Sequence, residues 1–233
     1  ILSVPVLFFM PGGWRAACVV FAIMALLCLP ALWRYLPSSA AKSRESTPKV
    51  LSIVRKPGMF RLLGIAFISG MASAAWWSFG PEILMRHTEL DSAATNVLWL
   101  ISGGAGIVAI FTGSMARRIG MRGVYRLSQI FMAISLAVLT VSHGFSWWLI
   151  PAVAMSGAGY VILSGVLLVK GAEIAHPSPA AGVSLAFLML AGGQVVGAIL
   201  FGLLLGLTSA VAALAIFSGM SWLMLAVTPE SHR

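Results

Sequence analysis

Two long stretches almost without charge, joined by a short basic one, constrain this chain more than anything else in it. Residues 97–115 contain no ionisable side chain, and residues 124–142 contain one basic residue, Arg126, close to the boundary. Each stretch is long enough to cross a hydrocarbon layer of about 30 Å as a helix rising about 1.5 Å per residue. Inside lipid the backbone must satisfy its own hydrogen bonds, which favours helices. With 60% hydrophobic and 9% charged residues and a mean hydropathy of +0.99, the chain falls outside the soluble globular range.

Five more apolar segments complete the pattern, giving spans at about 16–33, 62–85, 96–115, 124–142, 147–169, 181–206 and 209–227. They predict an all-α polytopic membrane protein with seven full transmembrane helices. Residues 1–10 are apolar but too short to span, and read as the outer tip of a helix that begins upstream. Residues 34–61 form the one long connection, polar and basic, and predict a flexible linker. Alternating the loops puts thirteen of the fifteen Lys and Arg on one side and two, Arg15 and Arg86, on the other. Basic loops stay in the cytoplasm, so residues 34–61, 113–123 and the C-terminus are expected inside. The formal charge of +9 is then a topology signal, and no nucleic-acid partner is expected.

Trp14, Trp33, Trp147 and Trp148 stand at the ends of spans, where amphipathic indoles form interfacial belts. Cys18 and Cys28, ten residues apart on one helix, cannot pair and read as apolar packing residues. His87, His143, His176 and His232 are scattered among loops and termini, so no metal site is expected. The sequence shows no nucleotide loop, nucleophile signature or paired catalytic carboxylates; neither enzymatic activity nor a cofactor is expected.

Residues 113–123, GSMARRIGMRG, resemble the loop signature of the major facilitator superfamily (MFS) of secondary transporters. Gly113, Arg118, Gly120 and Arg122 fall on pattern positions; Arg117 stands where the family usually has Asp, and Met121 replaces a basic residue. Gly13, Trp14 and Arg15 resemble the start of family helix six, and residues 34–61 the central loop. The resemblance implies that residues 1–33 end an N-terminal bundle and that residues 62–233 form a six-helix C-terminal bundle. It further implies alternating-access transport of a small solute across a lipid bilayer, expected to be a bacterial inner (plasma) membrane. A coupling ion and the N-terminal bundle of the same protein would be its partners. A complete seven-span receptor or sensor, and a membrane assembly partner, stay open beside it.

A weak internal repeat fits the same plan. Residues 102–113 (SGGAGIVAIFTG) align without gaps to residues 191–202 (AGGQVVGAILFG), an offset of 89, as expected of two three-helix inverted repeats.

Candidate pathway residues are polar or aromatic groups that lipid would penalise: Trp76, Trp77, Glu82, Tyr160 and Gln194. Glu82 either binds a cation or pairs with Arg86 one turn on. Gln194 bonds another helix or a solute, and Tyr160 shares a stripe with Ser156 and Ser164. Trp76 and Trp77 lie too deep for a belt, and either stack on a ligand or pack the core. Asn96 is expected to open its span as a cap beside Asp91 and Ser92. No span centre carries a charge, which favours a neutral or amphipathic solute.

Overall fold

The computed structural model describes residues 13–35 and 50–229, in two units, Ile1–Thr47 and Pro48–Arg233. The expected helix tip at residues 1–10, the middle of the linker and the last four residues lie outside the described residues, as does the Trp14 side chain. In the first unit, helix α1 (Gly13–Tyr35) exposes Leu26, Leu27 and Trp33. Cys18 and Cys28 are unpaired and exposed, so neither fills the packing role expected of it.

The second unit is all-α among its described residues. Helix α2 (Val50–Val54) is short, and α3 (Met59–Glu82) continues through a π-helical turn, Ile83–His87. Helix α4 (Ser92–Ala105) runs through a 3-10 segment, Gly106–Phe111, into α5 (Thr112–Val141). Helices α6 (Leu149–Ala175), α7 (Pro179–Leu207) and α8 (Ala210–Met224) follow. Among the described residues, four continuous helical stretches are long and apolar enough to cross a membrane; one of them, Ser92–Val141, is 50 residues long, more than a single crossing needs.

Local chemistry sets the boundaries. Asp91, not Asn96, caps α4, its carboxylate accepting from the Ala94 N–H at 2.9 Å, so the helix opens at Ser92. Ser209 caps α8 in the same way through the Ala212 N–H at 3.2 Å, and Pro179 opens α7 where its missing N–H costs nothing.

Residues 113–123 are not a loop. Helix α5 runs through them, broken only at Gly120 (φ 73°, ψ 161°), a backbone geometry that L side chains avoid. A single glycine redirects the chain there, with Arg117, Arg118 and Arg122 exposed around it. Nor is the linker unstructured to its end. Ile53 is buried, and the Lys56 ammonium donates to the Ala175 carbonyl (3.1 Å) and to the His176 carbonyl, capping α6 where its last carbonyls lack helical partners.

Helix pairs α3–α7, α5–α6, α5–α8, α6–α7 and α4–α6 build the bundle. Glycine permits the closest approaches. A Cβ on Gly70 would stand 2.1 Å from the Leu190 carbonyl oxygen, and one on Gly157 1.8 Å from that of Ser102. The offset of 89 maps Ser102 to Ala191 and Gly157 back to Ile68, one and two residues away from the Leu190–Gly70 crossing. The repeat's matched glycines are not used alike, however: a Cβ on Gly193 would meet the Phe67 carbonyl oxygen at 2.0 Å, while one on Gly104 would meet nothing within 4 Å.

Two apolar clusters fill the bundle. One, with Leu62, Val124, Ile162 and Leu190, lies toward the arginine-bearing end; the other, with Trp76, Leu136, Leu149, Phe201 and Phe217, lies toward the opposite end.

Candidate substrate crevice

Where the two clusters meet, side chains of three helices line a narrow crevice: Ala72, Ser73, Trp76 and Trp77 from α3, Met132 and Leu136 from α5, Ser156 and Tyr160 from α6. It is closed, with no space for a water-sized sphere. Its wall is aromatic. Trp76 packs on Trp99 of α4 with ring centroids 5.3 Å apart, and Trp77 sits between Trp99 (5.9 Å, edge-on) and Tyr160 (5.3 Å). Such offset and edge-to-face pairs add about 0.5–1.5 kcal/mol each beyond the area they bury.

Polar groups cross between helices at the same level. The Trp76 indole N–H donates to the Ser102 hydroxyl at 2.9 Å, a bond buried inside the bundle. Gln194 of α7 donates from Nε2 to the Ser73 hydroxyl at 3.1 Å. Ser73 passes its own proton to the Gly70 carbonyl at 2.7 Å. In lipid such bonds average about 0.6 kcal/mol, so they orient side chains more than they stabilise the bundle.

The fold thus brings together Trp76 and Trp77 of α3, Tyr160 of α6 and Gln194 of α7, which lie in three spans. Glu82 is not among the crevice residues: its carboxylate pairs with Arg86 at 3.1 Å, with both side chains exposed. The expected stripe on α6 divides, since Ser156 and Tyr160 line the crevice while Ser164 donates to the Val161 carbonyl at 2.9 Å. Among the described residues no Asp, Glu, Lys or Arg is buried, so the crevice is uncharged. Trp77, one of its lining residues, has a buried indole N–H that bonds to nothing.

Sequence reasoning missed Ser73, Trp99 and Ser102, and a second polar rung toward the arginine-bearing end. There Gln129 of α5 donates to the Ser69 hydroxyl at 2.8 Å and the Tyr125 phenol oxygen at 3.2 Å, and Tyr125 donates to the Met224 carbonyl at 3.0 Å. The available signal was the spacing of Ser69, Ser73 and Trp76, which places all three on one face of a helix. The signature residues Gly113, Arg118, Gly120 and Arg122 do not line the crevice.

Long apolar helices locked at glycines around an uncharged interior define an integral membrane protein. The model of the Major Facilitator Superfamily matches residues 3–192, and the chain belongs to this superfamily of membrane transporters. It is also 26% identical over 205 residues to Transcription regulatory protein OpdE of Pseudomonas aeruginosa, an alignment covering 81% of this chain and 49% of OpdE. The chain thus spans about half the length of that curated relative. No solved structure matches it.

Proposed function

We propose that this chain is the C-terminal part of a secondary transporter that moves a small solute by alternating access. The convergence of Trp76, Trp77 and Tyr160 on one uncharged crevice, with Gln194 bonded to its lining residue Ser73, carries this reading. Rocking of the bundle against the N-terminal bundle of the same protein would open that crevice to each side in turn. The arginine-bearing end and the C-terminus face the cytoplasm of a bacterial inner membrane, with the bend at Gly120 on that side. The match to the superfamily and the thirteen-to-two division of basic residues support this arrangement.

The test is accessibility. Ser156→Cys, in full-length protein with Cys18 and Cys28 replaced by Ser, should react with a membrane-impermeant maleimide from either side of the membrane, according to conformational state. Reaction from one side only under every condition overturns alternating access. Glu82→Gln should leave any pH-dependent uptake unchanged, because Glu82 is engaged with Arg86 and stands apart from the crevice; loss of the pH dependence would make Glu82 the coupling group.

One observation favours a second reading, a ligand sensor: the transcription-regulatory name of the relative that covers most of the chain. A sensor would bind its ligand with the crevice open to a single side.

A further inference from the structure

The transport reading leaves the class of solute undefined, and the chemistry of the crevice restricts it. We propose that the crevice takes an uncharged planar arene bearing a hydrogen-bond acceptor on its edge; this rests on the crevice being the substrate site.

Three observations lead there. The wall is aromatic on two sides, and Trp77 and Tyr160, on different helices, are in contact with ring centroids 5.3 Å apart. When the crevice opens and the two rings part, a planar ring stacked between them replaces that one aromatic contact with two. Next, no ionisable side chain other than the Tyr160 phenol lines the crevice, so a charge on the buried part of the solute would lack a counter-ion on this wall. Last, the Trp77 N–H is a buried donor with no acceptor. Leaving it unpaired in a dry interior is costly, and an acceptor on the ligand edge removes that cost.

The same features disfavour the neighbouring classes. A cation bound by aromatic faces would meet the positive end of the Trp77 N–H dipole. The rings also turn against one another, at 41°, 73° and 56°, and do not share a common centre. A sugar needs several acceptors and donors from the wall. Here the Ser73 hydroxyl proton is spent on Gly70, and one Gln194 amide proton is spent on Ser73.

Equilibrium dialysis of full-length protein in nanodiscs, with three tritiated probes, tests this. The probes are 4-acetylphenyl β-glucoside, whose ring bears a carbonyl acceptor; phenyl β-glucoside, without it; and methyl β-glucoside, without the ring. The expected order is acetylphenyl about tenfold tighter than phenyl, one buried hydrogen bond, with methyl not retained. Trp77→Phe keeps an aromatic ring beside Trp99 and Tyr160 and should erase the tenfold preference. Trp222→Phe, on α8 and outside the crevice lining, should preserve it. Retention of methyl β-glucoside at the same level overturns the arene, and a preference that survives Trp77→Phe overturns the role of its N–H. If no probe is retained while Ser156→Cys still reacts from both sides, the solute class falls and transport stands. If that cysteine reacts from one side only, the transport reading falls and this inference with it.

Discussion

Replacing Gly157 by alanine should damage the bundle through one identifiable contact. The new Cβ would sit 1.8 Å from the Ser102 carbonyl oxygen, against an ordinary contact of 3.4 Å or more, so α4 and α6 must part by about 1.6 Å. Backbone blocks the way, and no rotamer relieves it. Overpacking of this kind costs about 1–3 kcal/mol. Ser102 also accepts the Trp76 indole N–H at 2.9 Å, so a displaced Ser102 leaves that buried donor unpaired, a further cost of about 1–3 kcal/mol. The combined loss is about 2–6 kcal/mol, read from SDS titration of the full-length protein in mixed micelles, followed by far-UV circular dichroism. Gly165, on the same helix, has nothing within 4 Å of its would-be Cβ, and Gly165→Ala should stay within about 1 kcal/mol of wild type. Ser102→Ala alone should cost only the hydrogen-bond part, and should cost less again in the Gly157→Ala background, where that bond is already broken. Equal losses for Gly157→Ala and Gly165→Ala, or full additivity with Ser102→Ala, would refute the reasoning.

Further outcomes follow from the same geometry. Gly120→Ala, at φ 73°, should cost about 1–2 kcal/mol in the same titration, because the bend in α5 uses a conformation closed to side chains. Tyr125→Phe removes the donor to the Met224 carbonyl and one acceptor of Gln129, and should cost about 0.5–1.5 kcal/mol; an unchanged midpoint would mean that this rung is idle. Lys56→Met should raise hydrogen–deuterium exchange at residues 50–58 and at the end of α6 while leaving the crevice-lining turns protected, with mass spectrometry as the readout.

The helices were legible because lipid allows few alternatives: an uncharged run of about twenty residues can do little but span. Their junctions were less so. Arginines and glycines at residues 113–123 suggested a loop, yet one positive φ at Gly120 turns the chain, and the rest stays helical. Trp76, Trp77, Tyr160 and Gln194 stood out because large or polar groups inside a span need a reason. Ser73 and Ser102 did not, since small hydroxyls serve packing equally well, and only contact distances separate the two uses. Trp99 lay near the start of its span and resembled a boundary residue, while Gln129 stood one turn beyond Arg126, where a polar group excites no suspicion. The glycine repeat was weak as text because a shared contact needs only smallness at a few places. Only distances show which glycines are used: a Cβ at Gly193 would meet the Phe67 carbonyl oxygen at 2.0 Å, while one at Gly192, or at the repeat-related Gly104, would meet nothing within 4 Å.

Lys56 gives the bundle a mechanical property that its packing alone would not. Its ammonium grips the last carbonyls of α6, whose axis leads about 22 Å back to Tyr160 at about 1.5 Å per residue. A helix is stiff along its length, so a sideways tug on residues 50–58 works like a hand on the long arm of a lever. The contact between Tyr160 and Trp77, ring centroids 5.3 Å apart, is the closed jaw on which such a lever would bear.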